Sequence, residues 1–178
     1  MRTLIVYTSQ TGFTKRYVQW LTEKVDTDIL ELKDAEKKEN SFFDNYEAIV
    51  YAGWCMAGNV VKIKWFLDKA KGWMNKKLAV MAVGGMPNDN PDIIAAMHNV
   101  LTDEQKGYIK LFYCQGGLKY ENMSFLSRFA MKVFVSSLKR SKDEKQREMA
   151  TYIDHSYDSS DVKFVEPVVA YLQEGNPV

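Results

Sequence analysis

Four hydroxyl-bearing residues and one glycine lie close together between Thr8 and Thr14. Hydroxyl groups and the free backbone N–H groups at a helix start donate hydrogen bonds, so such a segment can hold a dianionic phosphate. Gly12 allows the backbone to approach the ligand closely. The segment has no lysine or arginine, and neutral donors suit a permanently bound phosphate monoester better than a transferred phosphoryl group. An ordinary turn capped by serine and threonine is the alternative.

Strands and helices of an alternating α/β fold are predicted around this segment. Short, continuously apolar runs are typical of strands covered on both faces, as in a parallel sheet between two helical layers. The five predicted strands cover residues 3–8, 28–32, 48–53, 78–83 and 108–114. We therefore predict a three-layer, doubly wound, five-stranded parallel sheet. The loops that follow its strands meet at one edge, where ligands bind in such folds.

Apolar residues spaced three and four apart predict the helices between these strands. The first helical face comprises Phe13, Tyr17, Trp20, Leu21 and Val25, and the second comprises Val60, Ile63, Leu67 and Ala70. Asn59 and Asn90 are the predicted N-caps of the helices after the third and fourth strands. A last helix near 162–172 either kinks or begins at Pro167. Gly175 and Pro177 indicate a C-terminal stop and tail.

Composition, net charge and the length of the apolar runs limit the classes of protein to which the chain can belong. The chain has 178 residues, 46% of them hydrophobic and 26% charged, which fits a single domain over residues 1–178. A formal net charge of +1 gives no reason to expect nucleic-acid binding. The first apolar run is too short for a signal peptide, and no run approaches the roughly 20 residues of a membrane-spanning helix.

The cysteines and histidines predict neither a set of disulfide bonds nor a metal site. Cys55 and Cys114 are too few to suggest disulfide bonds in a chain of this size, so we expect a reducing cytoplasm. His98 and His155 lie far apart in the sequence, with no cysteine or carboxylate at ligand spacing, so we predict no metal.

The segment from Ser9 to Thr14 resembles the phosphate loop of flavodoxins, whose usual form is Ser/Thr, any residue, Thr, Gly, any residue, Thr. The match covers every fixed position. The resemblance implies bound flavin mononucleotide (FMN) and a sheet with strand order 2-1-3-4-5. It also implies that the loops after the third and fourth strands approach the flavin ring, with Trp54 and Met56 packing on it. Redox work would be done by the cofactor and tuned by the protein.

Several residues of these loops have a purely structural alternative. Trp54 is equally compatible with a buried aromatic at a strand end, and Gly84-Gly85 with a plain turn. No catalytic residue is identified. The cofactor-binding residues that the resemblance implies are Ser9, Gln10, Thr11, Gly12, Phe13, Thr14, Gly53, Trp54, Cys55, Met56, Ala57, Gly58, Asn59, Gly84, Gly85, Met86, Gly116 and Gly117.

A helical insertion at about 119–150 follows the fifth strand. It is similar to the insertion of the flavodoxin-domain branch that includes menaquinone-dependent protoporphyrinogen oxidases. Between Lys119 and Glu148, eight basic residues stand against four acidic ones. The apolar residues of the segment are Met123, Phe125, Leu126, Phe129, Ala130, Met131, Val133, Phe134, Val135 and Leu138. This apolar face, over 123–140, either packs on the sheet or on a second subunit, or contacts an anionic membrane or a quinone.

Two redox functions are compatible with this resemblance, and the insertion slightly favours the second. One is an electron carrier between protein partners, and the other an oxidoreductase that passes electrons to a quinone, as in porphyrinogen oxidation. A fold that binds no cofactor and serves as an interaction module is the third possibility. A receiver domain is excluded, because Tyr7-Thr8 and Ala52-Gly53 replace the acidic residues it needs. The first loop also lacks the Cys and Arg of a tyrosine phosphatase and the Gly-Lys-Ser/Thr of a nucleotide triphosphatase.

Overall fold

A computed structural model describes residues 1–174, so the predicted stop at Gly175 and Pro177 lies outside the described part of the chain. The strands of residues 1–174 are β1 (Thr3–Tyr7), β2 (Thr27–Glu31), β3 (Ala48–Met56), β4 (Asn59–Val60), β5 (Lys77–Gly84), β6 (Ile109–Gln115), β7 (Gly117–Leu118) and β8 (Tyr157–Asp158). The five longer strands are the five predicted from the sequence, with no end shifted by more than three residues.

Helices follow the strands as the alternating pattern predicts. They are α1 (Phe13–Thr22), α2 (Leu32–Ala35), α3 (Asn40–Phe43), α4 (Ile63–Ala70), α5 (Pro91–Val100), α6 (Asp103–Lys106), α7 (Phe125–Lys139), α8 (Glu144–Ile153) and α9 (Glu166–Gln173). Short 3₁₀ turns cover Lys71–Trp73, Tyr120–Asn122 and Val162–Val165.

The main sheet has the strand order β2-β1-β3-β5-β6, and all four pairings along it are parallel. Counting the five predicted strands alone, this is the order 2-1-3-4-5, so the fold-class prediction is confirmed. The short β4 pairs antiparallel with the end of β3. Because the five strands run the same way, the segments that leave their carboxyl ends meet at one edge of the sheet.

Both faces of the sheet are buried, which explains the continuously apolar strands. Alternate residues of one strand enter different clusters: Leu4 and Val6 of β1 pack with Phe43, whereas Ile5 packs with Tyr17. The first cluster includes residues of α2–α5, and the second includes residues of α1 and α9. The sheet is therefore the middle of three layers.

The starts of α5 and α9 test two predictions made from the sequence. The Asn90 side chain accepts from the N–H groups of Asp92 at 2.9 Å and Ile93 at 3.3 Å, so it caps α5 just before Pro91. Pro167 lies in the first turn of α9, where its missing N–H leaves no helical bond unmade. The last helix thus begins beside Pro167 and does not kink there.

The insertion forms the helices α7 and α8. A separate apolar cluster joins them, centred on Val135, Leu138, Ala150 and Ile153, and Met86 and Leu118 pack against it. The predicted insertion at 119–150 is therefore helical, although α8 extends three residues further. None of the helices within residues 1–174 combines the length and the apolar character needed to cross a membrane.

Candidate functional site

The predicted site segments leave neighbouring strands at the same edge of the sheet. Tyr7 of β1 is in register with Ala52 of β3, and Gly84 of β5 is in register with Gln115 of β6. Residues 8–14, 53–59, 84–88 and 115–119 therefore approach one another although they are far apart in the sequence. This edge is where doubly wound sheets bind ligands.

The start of α1 has the features of an anion-binding helix end. Gly12 occupies the N-cap position with a φ of 99°, a left-handed conformation that favours glycine, and it has no side chain to accept a hydrogen bond from the helix. The first N–H groups of a helix lack partners within it. Ser9 Oγ accepts a hydrogen bond from Lys15 N at 3.4 Å, whereas Phe13 and Thr14 have N–H groups with no intrahelical acceptor. Free N–H groups at the start of a helix are suitable donors to a phosphate.

The Thr14 hydroxyl provides the clearest test of whether a phosphate fits here. Thr14 is 1% exposed, and its Oγ1 has no hydrogen-bond partner among residues 1–174. An unsatisfied buried hydroxyl costs about 1–3 kcal/mol. Six side chains of residues 1–174 have such a polar atom, and Thr14 is the one within the predicted phosphate segment. A phosphate oxygen at this loop would accept its hydrogen bond. The residues present therefore fit the phosphate of a flavin mononucleotide.

A cavity of about 400 Å³ lies beside this loop, and its walls are more basic than the sequence indicated. Ser9, Gln10 and Gly12 line it together with Lys15, Lys33 and Lys62. The 8–14 segment itself has no cation, but the fold brings lysines from three separate segments to the cavity beside it. Their positive charge favours an anionic ligand.

One carboxylate, Glu31, also lines this cavity. Lys33 Nζ lies 2.6 Å from its Oε2, and the Tyr7 hydroxyl donates to its Oε1 at 3.3 Å. The hydrogen bond and charge of Lys33 hold the pKa of Glu31 below its ordinary value. Glu31 is thus ionised at neutral pH and offsets part of the lysine charge.

The segment after the third predicted strand is a β-hairpin and not an open loop. β3 continues to Met56, the chain turns at Ala57 and Gly58 with φ of 49° and 77°, and β4 returns beside it. Positive φ at both central residues is the geometry of a tight hairpin turn. The prediction that Asn59 caps a helix is wrong, because Asn59 pairs with Met56 in this hairpin. Val60 is likewise a strand residue, and α4 begins at Ile63.

The hairpin holds the two side chains predicted to contact the flavin ring. Trp54 is half-buried, and its carbonyl accepts from Val61 N at 2.9 Å. Met56 is exposed at the end of β3. Gly53 has a packing role, since a Cβ there would lie 2.7 Å from Val60 Cγ1. Trp54 and Met56 are thus placed on a rigid element, and both have surface free for a ligand.

Neither cysteine of the described site has the character of a reactive thiol. Burial raises the pKa of both Cys55 and Cys114 to about 12. We expect native protein at pH 8 to react with a disulfide reagent about 1,000-fold more slowly than a free thiol, because the thiolate is the nucleophile. Stopped-flow thiol titration measures this rate, with protein unfolded in guanidinium as the control. Rapid reaction of one thiol per native chain would contradict it.

Two tyrosines that were not predicted as site residues fix the loop after β5, residues 84–88. Tyr157 donates its hydroxyl to Gly85 O and Tyr113 donates to Met86 O, each at 2.8 Å. Burial raises the pKa of both tyrosines, so both remain protonated donors at neutral pH. A Cβ on Gly84 would lie 2.5 Å from the Tyr113 hydroxyl, so this position needs glycine.

Phe13 and the glycines after β6 form a packed layer under the site. Gly116 lies against Phe13, where a Cβ would be 3.3 Å from its ring. A Cβ on Gly117 would lie 2.8 Å from the same ring and would overlap Tyr157 O. Phe13 itself is buried. The structure thus gives Gly116 and Gly117 a packing reason to be glycine, and it brings both beside the phosphate segment.

The insertion makes direct contact with the predicted phosphate loop. Gln10 Nε2 donates to Ser127 Oγ at 2.8 Å, and Asn122 Nδ2 donates to Thr11 O at 3.4 Å. These partners are more than 100 residues apart, and no local sequence signal pointed to them. The first turn of α7 is therefore part of the wall of the site.

Comparison with solved structures finds proteins of low similarity to this chain. A structure of a WrbA-like flavodoxin from Agrobacterium tumefaciens is 18% identical, covering 71% of this chain and 87% of its own, with a TM-score of 0.48. A flavoprotein in complex with FMN from Lactobacillus acidophilus is 17% identical, covering 63% and 90%, with a TM-score of 0.44. A flavodoxin from Streptococcus pneumoniae is 16% identical, covering 96% and 99%, with a TM-score of 0.43.

Similarities this low say nothing of function, and no curated protein matches the chain. The family model described as Flavodoxin domain matches residues 4–160. The match begins within β1 and extends past β8. It therefore includes the phosphate segment, the hairpin and the whole insertion. The chain belongs to the flavodoxin domain family.

Proposed function

We propose that the chain binds one FMN at the carboxyl edge of its sheet and works as a redox protein. The observation that carries the proposal is the start of α1, which has a glycine at its N-cap position and contains the buried Thr14 hydroxyl without a partner among the described residues. Phosphate is the group that best satisfies both features. Membership of the flavodoxin domain family supports a flavin cofactor and a redox role.

The chain's own residues have distinct tasks in this proposal. When bound, FMN supplies the electron-transfer chemistry, which the surrounding protein tunes. Thr14 and the N–H groups near Gly12 hold the phosphate, and the lysines of the cavity attract it. Trp54 and Met56 pack on the ring and exclude water. Tyr113 and Tyr157 fix the position of the loop after β5, residues 84–88, by donating hydrogen bonds to its backbone carbonyl groups.

An electron carrier for a redox protein partner fits the site best. The segments 8–14, 53–59 and 84–88 contain no histidine, aspartate or glutamate. They therefore offer no side chain suited to moving a proton to or from a substrate at neutral pH. Electron exchange with a partner needs no such group.

A quinone-linked FMN oxidoreductase is the second candidate, with porphyrinogen oxidation as its sharpest form. One observation favours it: the exposed apolar side chains of α7 begin next to Ser127, which contacts the phosphate loop. An apolar electron acceptor needs such a surface near the flavin. Reoxidation of the reduced protein by menadione, measured against an equal concentration of free reduced FMN, separates the two candidates. A carrier gives no acceleration over free flavin, and a quinone reductase gives a large one.

The first experiment is an absorption spectrum from about 300 to 600 nm of protein mixed with FMN, followed by dithionite titration, because ring burial changes flavin spectra. We expect a shifted, structured flavin band that bleaches with dithionite and returns with air. A spectrum identical to that of free FMN at about 50 μM protein would reject the redox proposal. It would leave the interaction module that binds no cofactor.

A further inference from the structure

Helix α7 is apolar on its outer side as well as on its inner side. Val135 and Leu138 are buried against α8 and account for the packing of the helix on the protein. Five other large apolar side chains of α7 are exposed. Phe134, 48% exposed, lies apart from the other four, which share one side of the helix: Phe125 is 88% exposed, Leu126 75%, Phe129 59% and Val133 54%. We call these four residues the outer face. Core packing does not explain them.

The geometry of a helix makes the outer face continuous. At 3.6 residues per turn, Phe125, Leu126, Phe129 and Val133 fall within a stripe of about 100°. The centre of this stripe lies opposite Val135 and Leu138. Single exposed apolar residues are normal, but a contiguous stripe with two phenylalanines marks an interaction surface.

The charges on α7 beside the outer face are all basic, and one of them is paired, since Lys139 Nζ lies 2.9 Å from Asp154 Oδ2. Helix α7 carries Arg128, Lys132 and Lys139 and no acidic residue, and Arg140 follows its last turn. Arg128, Lys132 and Lys139 lie along one edge of the stripe, and a cavity of about 640 Å³ opens between them. Phenylalanine and leucine on one side with lysine and arginine beside them is the pattern of a helix that lies in a membrane interface.

We propose that the outer face of α7 docks the protein on an anionic lipid bilayer, with Phe125 and Phe129 among the acyl chains. The exposed Lys132 and Arg140 then bind lipid phosphates beside the outer face, whereas Lys139 is paired with Asp154 and Arg128 donates to Glu121 O. A second copy of the chain is a poorer occupant. A symmetric dimer through this face brings the same basic residues toward one another, with no acidic residue on the helix to offset them.

Docking in this way places the predicted phosphate loop close to the lipid surface. Ser127, on the inner side of the helix turn that carries Leu126 and Phe129, accepts the hydrogen bond from Gln10 of that loop. The start of α7 is thus tied to the site, so the site lies about one helix diameter, roughly 10 Å, from the lipid surface. The docking itself does not require bound flavin.

Vesicle flotation with the full-length chain tests the proposal. We expect the protein to float with vesicles of phosphatidylglycerol and phosphatidylcholine and to stay behind with phosphatidylcholine alone. The double change Phe125→Ser with Phe129→Ser should weaken binding about tenfold or more, because interfacial binding scales with buried apolar area. The double change Lys132→Glu with Arg140→Glu should abolish it.

Two variants control for loss of apolar surface and of charge elsewhere. Ile94→Ser removes an exposed apolar residue of α5, and Lys110→Glu reverses an exposed charge on β6. Both should float like the unchanged protein. Circular dichroism of each variant shows whether it is folded. Equal flotation of the outer-face variants, or no flotation with anionic vesicles, overturns the proposal. A dimer in light scattering that the Phe→Ser changes convert to a monomer also overturns it.

Discussion

Replacing Thr14 by valine should raise the stability of the protein without cofactor and lower its affinity for FMN. The hydroxyl is buried without a partner among the described residues, so an isosteric methyl group should add about 1 kcal/mol to the free energy of unfolding. A hydrogen bond to a charged phosphate is worth about 1.5–3 kcal/mol, so the dissociation constant for FMN should rise about 10–100-fold. Urea unfolding and quenching of flavin fluorescence measure the two effects.

The chain supplies a matched control at the opposite end of the first strand. Thr3 is also fully buried, and its Oγ1 likewise has no partner within residues 1–174. Thr3→Val should therefore stabilise the protein in the same way and leave FMN binding unchanged. Equal FMN affinity of the Thr14→Val variant and the unchanged protein would show that the phosphate is not held by this hydroxyl.

Replacing Gly117 by alanine should destabilise the protein by about 2–3 kcal/mol, because the added methyl group has no room. Its Cβ would overlap the carbonyl oxygen of Tyr157 and lie 2.8 Å from the Phe13 ring. The first of these neighbours is backbone in the paired strand β8, so relief requires movement of the β7–β8 pair. Urea unfolding without FMN measures the loss.

Gly72→Ala is the control for this change. No atom lies within 4 Å of a Cβ built at Gly72, and its φ is not in the left-handed region. We expect its free energy of unfolding to stay within about 0.5 kcal/mol of the unchanged protein. If Gly117→Ala cost no more than Gly72→Ala, the close packing of β7, β8 and Phe13 would be wrong.

The main sheet is predictable from the sequence because each of its long strands is a short apolar run covered on both sides. Leu78–Val83, for example, is apolar throughout and buried throughout in β5. The cap at Asn90 is predictable because an asparagine before a proline favours one local geometry. The phosphate segment is recognisable for the same reason, since its hydroxyls and Gly12 act within a few residues.

The rest of the site depends on contacts that no local pattern encodes. The hairpin turn places Ala57 at a φ of 49°, a conformation that alanine does not signal in a sequence. Lys33 and Lys62 reach the cavity from separate segments, and Tyr157 reaches Gly85 from 72 residues away. Each contact follows from the order of the strands and the position of the insertion.

The sequence also does not show which side of α7 packs on the protein. Its apolar residues are evident from the sequence, and both packing and surface contact are compatible with them. The structure separates the two roles, because Val135 and Leu138 are buried while Phe125 and Phe129 are exposed. A helix with apolar residues on two sides gives no sequence signal of which side faces the protein.

The most direct test of the account is a comparison of FMN with riboflavin, which has the same ring but no phosphate. Titration of each flavin with the protein, followed by fluorescence quenching, gives the two dissociation constants. If the start of α1 holds the phosphate, FMN should bind at least about 100-fold more tightly, since several hydrogen bonds to a charged group are lost with riboflavin. Equal affinities for the two flavins, or no binding of either, would contradict the central claim.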